Sequence, residues 1–476
     1  MVVGEFAEQR ELIIVGGGPG GYNAAIRAAQ LGIQVTLIEK EEVGGVCLNK
    51  GCIPSKVFTH TAKQLASIPN LSNLGISVGS PSVNFTQLIA YKDQKVEQLR
   101  KGVEALCSAN QIEIIRGTAN FTSNNRIGVE IGHRFEQYEF KHAIIATGGS
   151  YRLPENLRQH EDRLKLPDTI YNISEMPEEI IVYGSDYIAL EAAFSFHHLG
   201  ATVTMVLDEE GGFAFDESIN RELKRILKKE KIKVYQGYTL EAIKSSAESI
   251  EVKLSTDENT FSISGDYLYL GTDHRPNIDE LGIERLGITL TDDGFINVDN
   301  QMRTTLDSIF AIGDTTVGTA SAVKAIKQGK VVAETIAGLK SELDLTFIPD
   351  VVHSIPPIAA VGLTEAEAKE QGYNAKVSQF PYGSNSYGTI TDEKNGVTKV
   401  IKDAETDLLL GYHSIGAGAI ELISSAVTAL EMAGHDEDLK FPLYPHPSYN
   451  ETLLEAVEGL TESAIHKKPK KQKAKL

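Results

Sequence analysis

Cys47 and Cys52 stand five positions apart in the stretch Gly44-Gly45-Val46-Cys47-Leu48-Asn49-Lys50-Gly51-Cys52-Ile53-Pro54-Ser55-Lys56. Oxidation of the pair closes a small ring, and after reduction the thiols stay close enough to close it again. A disulfide that ties down so little chain is a poor structural staple, so reversible redox chemistry is the better reading. Zinc needs about two further ligands at similar spacing, and the only other cysteine is Cys107. Spacing alone leaves open that these are two unrelated thiols.

The residues before the pair supply a second kind of chemistry. Leu12-Ile13-Ile14-Val15 reads as a buried strand, followed by Gly16-Gly17-Gly18-Pro19-Gly20-Gly21. A helix over Tyr22–Leu31 comes next, then a second strand over Gln34–Ile38 that ends at Glu39. This is the dinucleotide fingerprint in strand–turn–helix context. Gly16 allows the tight turn, Gly18 lets the backbone approach a pyrophosphate, and Gly21 lets the helix lie close to the strand. The helix N-terminus offers partial positive charge to phosphate, and Glu39 offers a carboxylate to a ribose hydroxyl.

Bulk properties narrow the class. A chain of 476 residues, 41% apolar, predicts a globular protein of more than one domain. Its net charge of −19 argues against a nucleic-acid partner. No apolar run reaches membrane-spanning length, and Glu5, Glu8 and Glu11 make the N-terminus unlike a signal peptide. Three cysteines in so long a chain suit a reducing, cytoplasmic setting, where a disulfide is catalytic rather than structural.

The wording Cys-Leu-Asn-x-Gly-Cys-Ile-Pro-Ser-Lys resembles the dihydrolipoamide dehydrogenase family, class I pyridine nucleotide-disulfide oxidoreductases. The resemblance implies an α/β fold with two Rossmann-like dinucleotide-binding domains, of FAD and NAD type, and an α+β C-terminal dimerisation domain. It places the first part of the FAD domain at 1–150, the NAD-like domain at 151–276, the return to the FAD domain at 277–344, and the dimerisation domain at 345–465. It implies FAD beside Cys52, with Cys47 exchanging with substrate and Lys56 pairing with Glu191. Lys40, Gly45, Ala119, Thr147 and Gly148 are implied at the same cofactor. Ser308–Asp314 resembles the family's second FAD motif, with Asp314 at the ribityl chain and Ala322 opening a helix at the flavin.

Near the other end, Pro445-His446-Pro447-Ser448-Tyr449-Asn450-Glu451 matches the family's catalytic His–Glu pair at His446 and Glu451. Thiol exchange needs a base, because thiolate is the nucleophile. In the family this pair serves the other subunit's flavin, which implies a homodimer. The implied reaction oxidises dihydrolipoamide on a lipoyl-bearing acyltransferase or lipoyl-domain protein and passes electrons to NAD. Residues 466–476 form a basic run that reads as a solvated, disordered tail.

The second nucleotide site departs from the pattern. Ile180–Tyr183, Tyr187–Leu199 and Thr202–Leu207 read again as strand, helix and strand. Where the family has three glycines, this chain has Gly184, Asp186 and Ala189. A side chain at Asp186 obstructs the pyrophosphate, and a carboxylate repels it. The acid expected at the end of the second strand is Leu207, with Asp208 facing the opposite side. In Gly271–Asn277, Asp273 replaces a usual glycine and His274 a usual arginine of the NAD pocket. Two alternatives follow: a paralogue with impaired NAD binding that delivers electrons to another acceptor, or a non-catalytic FAD-containing binding subunit.

Overall fold

The computed structural model describes residues 7–208, 212–272 and 274–467. Asp273 and residues 468–476 of the basic run lie outside the described residues.

The first sheet has seven strands. Glu113–Arg116, Val35–Glu39, Glu8–Val15, Arg134–Ile145 and Ile309–Ala311 run parallel. Arg126–Ile131 and Thr118–Ser123 extend it in antiparallel fashion. The first strand begins at Glu8 rather than Leu12, because its polar, largely exposed start pairs with Tyr138–Phe140. Leu12, Ile13 and Ile14 are fully buried, which suits a parallel strand covered on both faces.

A second sheet has the order Lys233–Gln236, Thr202–Leu207, Glu179–Tyr183, Tyr267–Leu270 and Leu164–Lys165, all parallel. Beside it lies an antiparallel meander of Thr239–Ser245, Ile250–Ser255 and Thr260–Gly265. The chain leaves the first sheet through Gly149–Tyr151 and returns through His274–Pro276. These two segments pair as an antiparallel ribbon, fastened by Asn277, whose N–H donates to the Gly148 carbonyl at 2.9 Å.

The third sheet is antiparallel, in the order Asp350–Val352, Ile358–Gly362, Leu409–Ile415, Val397–Asp403 and Ala375–Pro381. Helices Ala419–Glu431 and Asn450–Glu458 cover it through Ile423, Ala426, Leu453 and Ala456. The expectation of a tail beginning at residue 466 is corrected. The His466 ring and N–H both bind the Glu455 carboxylate, at 2.6 and 3.1 Å, because that carboxylate is almost fully buried and needs partners.

An ion cluster centred on the buried Lys399 ties the helix Glu217–Lys229, through its N-cap Asp216, to the third sheet. Lys399 Nζ lies 2.8 Å from Asp216 and 2.7 Å from Glu365, and Lys399 and Asp216 are only 1% and 2% exposed. Burial works against the Asp216 carboxylate, but Lys399 and the N–H groups of Ser218 and Glu365 hold its pKa below the ordinary value. Lys399→Met leaves that charge unpaired and is expected to cost about 3 kcal/mol at neutral pH. A depressed carboxylate contributes stability above its ordinary pKa and loses it as pH falls through the folded value. The deficit of the variant should therefore shrink in acid. Urea unfolding midpoints across pH check this, and equal midpoints at neutral pH would rule it out.

Candidate active site

Cys47 lies on the short helix Gly45–Asn49, and Cys52 is the first residue of the helix Cys52–Leu71. A thiol at a helix N-terminus is favoured as thiolate. In the dithiol state the Cys47 thiol donates to the Cys52 sulfur. That bond, opposed by burial and aided by Lys56, brings Cys52 down to about 7. The same bond and burial push Cys47 well up. One thiol is thus set to be a thiolate near neutrality and its neighbour to stay protonated. Burial also raises Cys107, so the first thiolate of the reduced protein should appear with a midpoint near pH 7. Ultraviolet thiolate absorbance measures this; a first midpoint above pH 8.5, the ordinary thiol range, would contradict it.

Lys56 stands one helical turn after Cys52. Its Nζ contacts both Glu191 oxygens, at 2.8 and 2.9 Å. The Glu191 side chain is 1% exposed, and it also accepts from Ser55 Oγ at 2.5 Å and from the His353 N–H at 2.9 Å. A fully buried carboxylate is tolerable only with this many donors. Ser55 and His353 were not legible as partners, since they act only through Glu191.

The cysteines open onto a cavity of about 480 Å³, which Gly18, Glu39, Lys40, Gly45, Asp314 and Ala322 also line. A second cavity of about 240 Å³ adjoins it at Glu39, Lys40 and Thr147 and reaches Ala119. Gly148 lies at the larger cavity beside Thr147. These surfaces fit a dinucleotide. A Cβ on Gly16 would lie 2.3 Å from the Ala146 oxygen, and one on Gly21 would lie 1.8 Å from the Gly16 oxygen. The helix Pro19–Gln30 therefore sits hard against the strand. Its N-cap is Gly18, and no side chain caps it, which leaves its first N–H groups for phosphate. The Glu39 carboxylate closes the turn, accepting the Gly17 N–H at 2.6 Å.

The corresponding turn in the second sheet is closed differently. Asp186 is the N-cap of Tyr187–Leu199, and its Oδ1 accepts from Ile188 and Ala189 N–H at 2.7 and 2.9 Å. Those are the donors a pyrophosphate would use. A Cβ on Gly184 or Gly271 would lie 3.3 or 3.0 Å from Asp186 Oδ2, so the carboxylate fills the crevice between the two strand ends. Asp186 is exposed as a residue, yet desolvation of its carboxylate raises its pKa, opposed by the helix N–H bonds and by Tyr269. Leu207 is fully buried and presents nothing to a ribose, while Asp208 is exposed. The crevice thus lacks the free helix N–H groups and the ribose-facing acid that the first turn offers.

The assignment of His274 to that pocket is corrected. Its ring packs on Tyr151 and over Gly149, and its Nε2 lies 3.4 Å from Asp314. The ribbon pairing of His274–Pro276 with Gly149–Tyr151 turns it toward the larger cavity.

His446 and Glu451 lie on the C-terminal segment, and neither lines either cavity of their own chain. His446 Nδ1 is 2.8 Å from Glu451 Oε1, while Glu451 Oε2 accepts the Ser448 N–H at 3.0 Å. The His446 side chain is 71% exposed.

A redox-suited cysteine pair beside a dinucleotide cradle defines an oxidoreductase of the flavoprotein disulfide type. The chain belongs to the pyridine nucleotide-disulphide oxidoreductase family: that family pattern matches residues 10–329, and its dimerisation domain matches residues 348–457. The family uses FAD and NAD(H), and its dimerisation domain marks the chain as a homodimer. The chain is 36% identical over 471 residues to a dihydrolipoyl dehydrogenase of Staphylococcus aureus, covering 98% of this chain and 100% of that one. It is 36% identical over 470 residues to one of Geobacillus stearothermophilus, covering 98% and 99%. The fold matches the crystal structure of LpdA from Mycobacterium tuberculosis with a TM-score of 0.88 at 23% identity, covering 95% and 99%. Among the described residues no helix is long and apolar enough to cross a membrane.

Proposed function

We propose that the protein oxidises a dihydrolipoyl group, carried by a lipoyl-bearing acyltransferase or lipoyl-domain protein in the cytoplasm, by exchange with the Cys47–Cys52 disulfide. The carrying observation is the placement of the pair, Cys47 on the helix Gly45–Asn49 and Cys52 at the first position of Cys52–Leu71, both opening onto the cavity that Gly18, Glu39 and Asp314 line. The Cys52 pKa is held down and the Cys47 pKa pushed up. A substrate thiolate attacks the Cys47 sulfur, and Cys52, the better leaving group, departs as thiolate. The second substrate thiolate attacks the mixed disulfide at the substrate sulfur. This expels Cys47, which takes up the proton of the second substrate thiol, and releases the substrate as a cyclic disulfide. His446 takes the substrate thiol proton, and Glu451 orients its ring. His446, exposed in its own chain, would serve the cavity of the second copy, as the family resemblance implies.

Gly16, Gly18, Gly45, Glu39 and Asp314 would hold FAD, which supplies a two-electron acceptor beside the pair. Lys56, fixed by Glu191, keeps positive charge next to Cys52. Asp186 favours a second reading for the other half-reaction, in which electrons leave by an acceptor other than NAD. Anaerobic titration of the flavin spectrum tests both halves. Reduction by dihydrolipoamide but not by NADH is the expected result. No reduction by dihydrolipoamide would overturn the proposal, and reduction by NADH at micromolar concentration would remove the second reading.

A further inference from the structure

The far end of the helix Tyr187–Leu199 carries a side-chain cluster with no part in the chemistry above. His197, His198 and Glu230 each offer one ligand atom, and all three atoms lie within 4.8 Å of one another. His197 Nε2 faces Glu230 Oε2 at 3.8 Å, too long for a hydrogen bond. His198 Nε2 is buried with no hydrogen-bond partner among the described residues, which is costly unless something satisfies it. We propose that His197, His198 and Glu230 form a site for a divalent transition-metal cation of the zinc type.

The donor set suits such an ion. Two imidazoles and one carboxylate make a three-ligand zinc shell that leaves room for water. Tetrahedral ligands at about 2.1 Å from zinc stand roughly 3.4 Å apart, so modest side-chain rotation closes the cluster. Ligating imidazole must be neutral and ligating carboxylate ionised. The backbone helps too. Tyr187–Leu199 and Glu217–Lys229 both end here, with Glu230 as the C-cap of the second. Two helix C-termini converge their partial negative charge on one point, and Lys229 is the cation that opposes it at Glu230. His198 lies about 10 Å along the helix axis from Glu191. A bound ion would brace the helix that holds Lys56 without touching the cysteines.

The test uses FAD-loaded, oxidised homodimer, in which Cys47 and Cys52 are joined and cannot ligate. Zinc ion alone is added, with uptake measured by equilibrium dialysis and metal analysis. One equivalent per chain is expected, weakened by about 100-fold or more in His198→Ala and in Glu230→Gln. Glu230→Gln sits at a partly exposed helix end, so it keeps the test decisive where His198→Ala fails to fold. No uptake at micromolar zinc overturns the site, as does uptake unchanged in the folded variants.

Discussion

Asp186→Gly is expected to tighten NADH binding by up to about a thousandfold. The estimate rests on the charge alone: two unit charges at about 4 Å and an effective dielectric near 20 interact by roughly 4 kcal/mol, about three decades of affinity. The exchange also frees Ile188 and Ala189 N–H, which the carboxylate now occupies. Replacing an N-cap aspartate by glycine costs only a few tenths of a kcal/mol, so the helix should survive. Asp186→Asn separates the two effects, since it removes charge but keeps a side chain in the crevice. Calorimetric dissociation constants for the parent and both variants decide the matter. An unchanged constant in Asp186→Gly would show that Leu207 and the neighbouring loop, not Asp186, set the affinity. Glycine helping far more than asparagine would assign the effect to space rather than charge.

His446→Gln is expected to lower dihydrolipoamide turnover by about 10²–10⁴-fold, the range for a lost general acid–base group. Flavin content should not change. Burial works to raise the Glu451 pKa, yet His446 and the Ser448 N–H hold it low, so an ionised carboxylate stands ready to support imidazolium. Glutamine can still bond Glu451 but cannot carry the proton. Subunit exchange gives a sharper readout. Mixing His446→Gln with Cys47→Ser dimers should restore turnover, because a mixed dimer holds one intact composite site. Full activity in the single variant, or no recovery on mixing, would remove His446 from the reaction.

Much of this was legible where a residue acts through its own backbone position. Gly16, Gly18 and Gly21 stand on a turn whose strand, helix and acid follow in sequence. The helix Tyr187–Leu199 is bounded by Asp186 and Gly200, an N-cap and a left-handed C-cap glycine, and its limits could be read from the chain. The meander Thr239–Gly265 could not. Its strands bury only alternate residues on one face, and polar turns dilute that signal. Likewise only the apolar end of Arg134–Ile145 announced a strand, since its first half is half-exposed. His274 was misplaced because the ribbon that turns it is a pairing between segments more than a hundred residues apart. The ligand cluster at His197, His198 and Glu230 depends on two helices meeting, which neither sequence stretch records.

That ribbon also dictates an order of birth. The first sheet needs Ile309–Ala311 laid beside Ala143–Ile145, yet everything between Gly149–Tyr151 and His274–Pro276 must leave the ribosome first. At typical rates of synthesis the wait is roughly ten to thirty seconds. The second sheet emerges whole in that interval. A nascent chain arrested before Ser308 is therefore expected to carry a protease-resistant second unit beside an open, protease-sensitive cradle that retains no flavin.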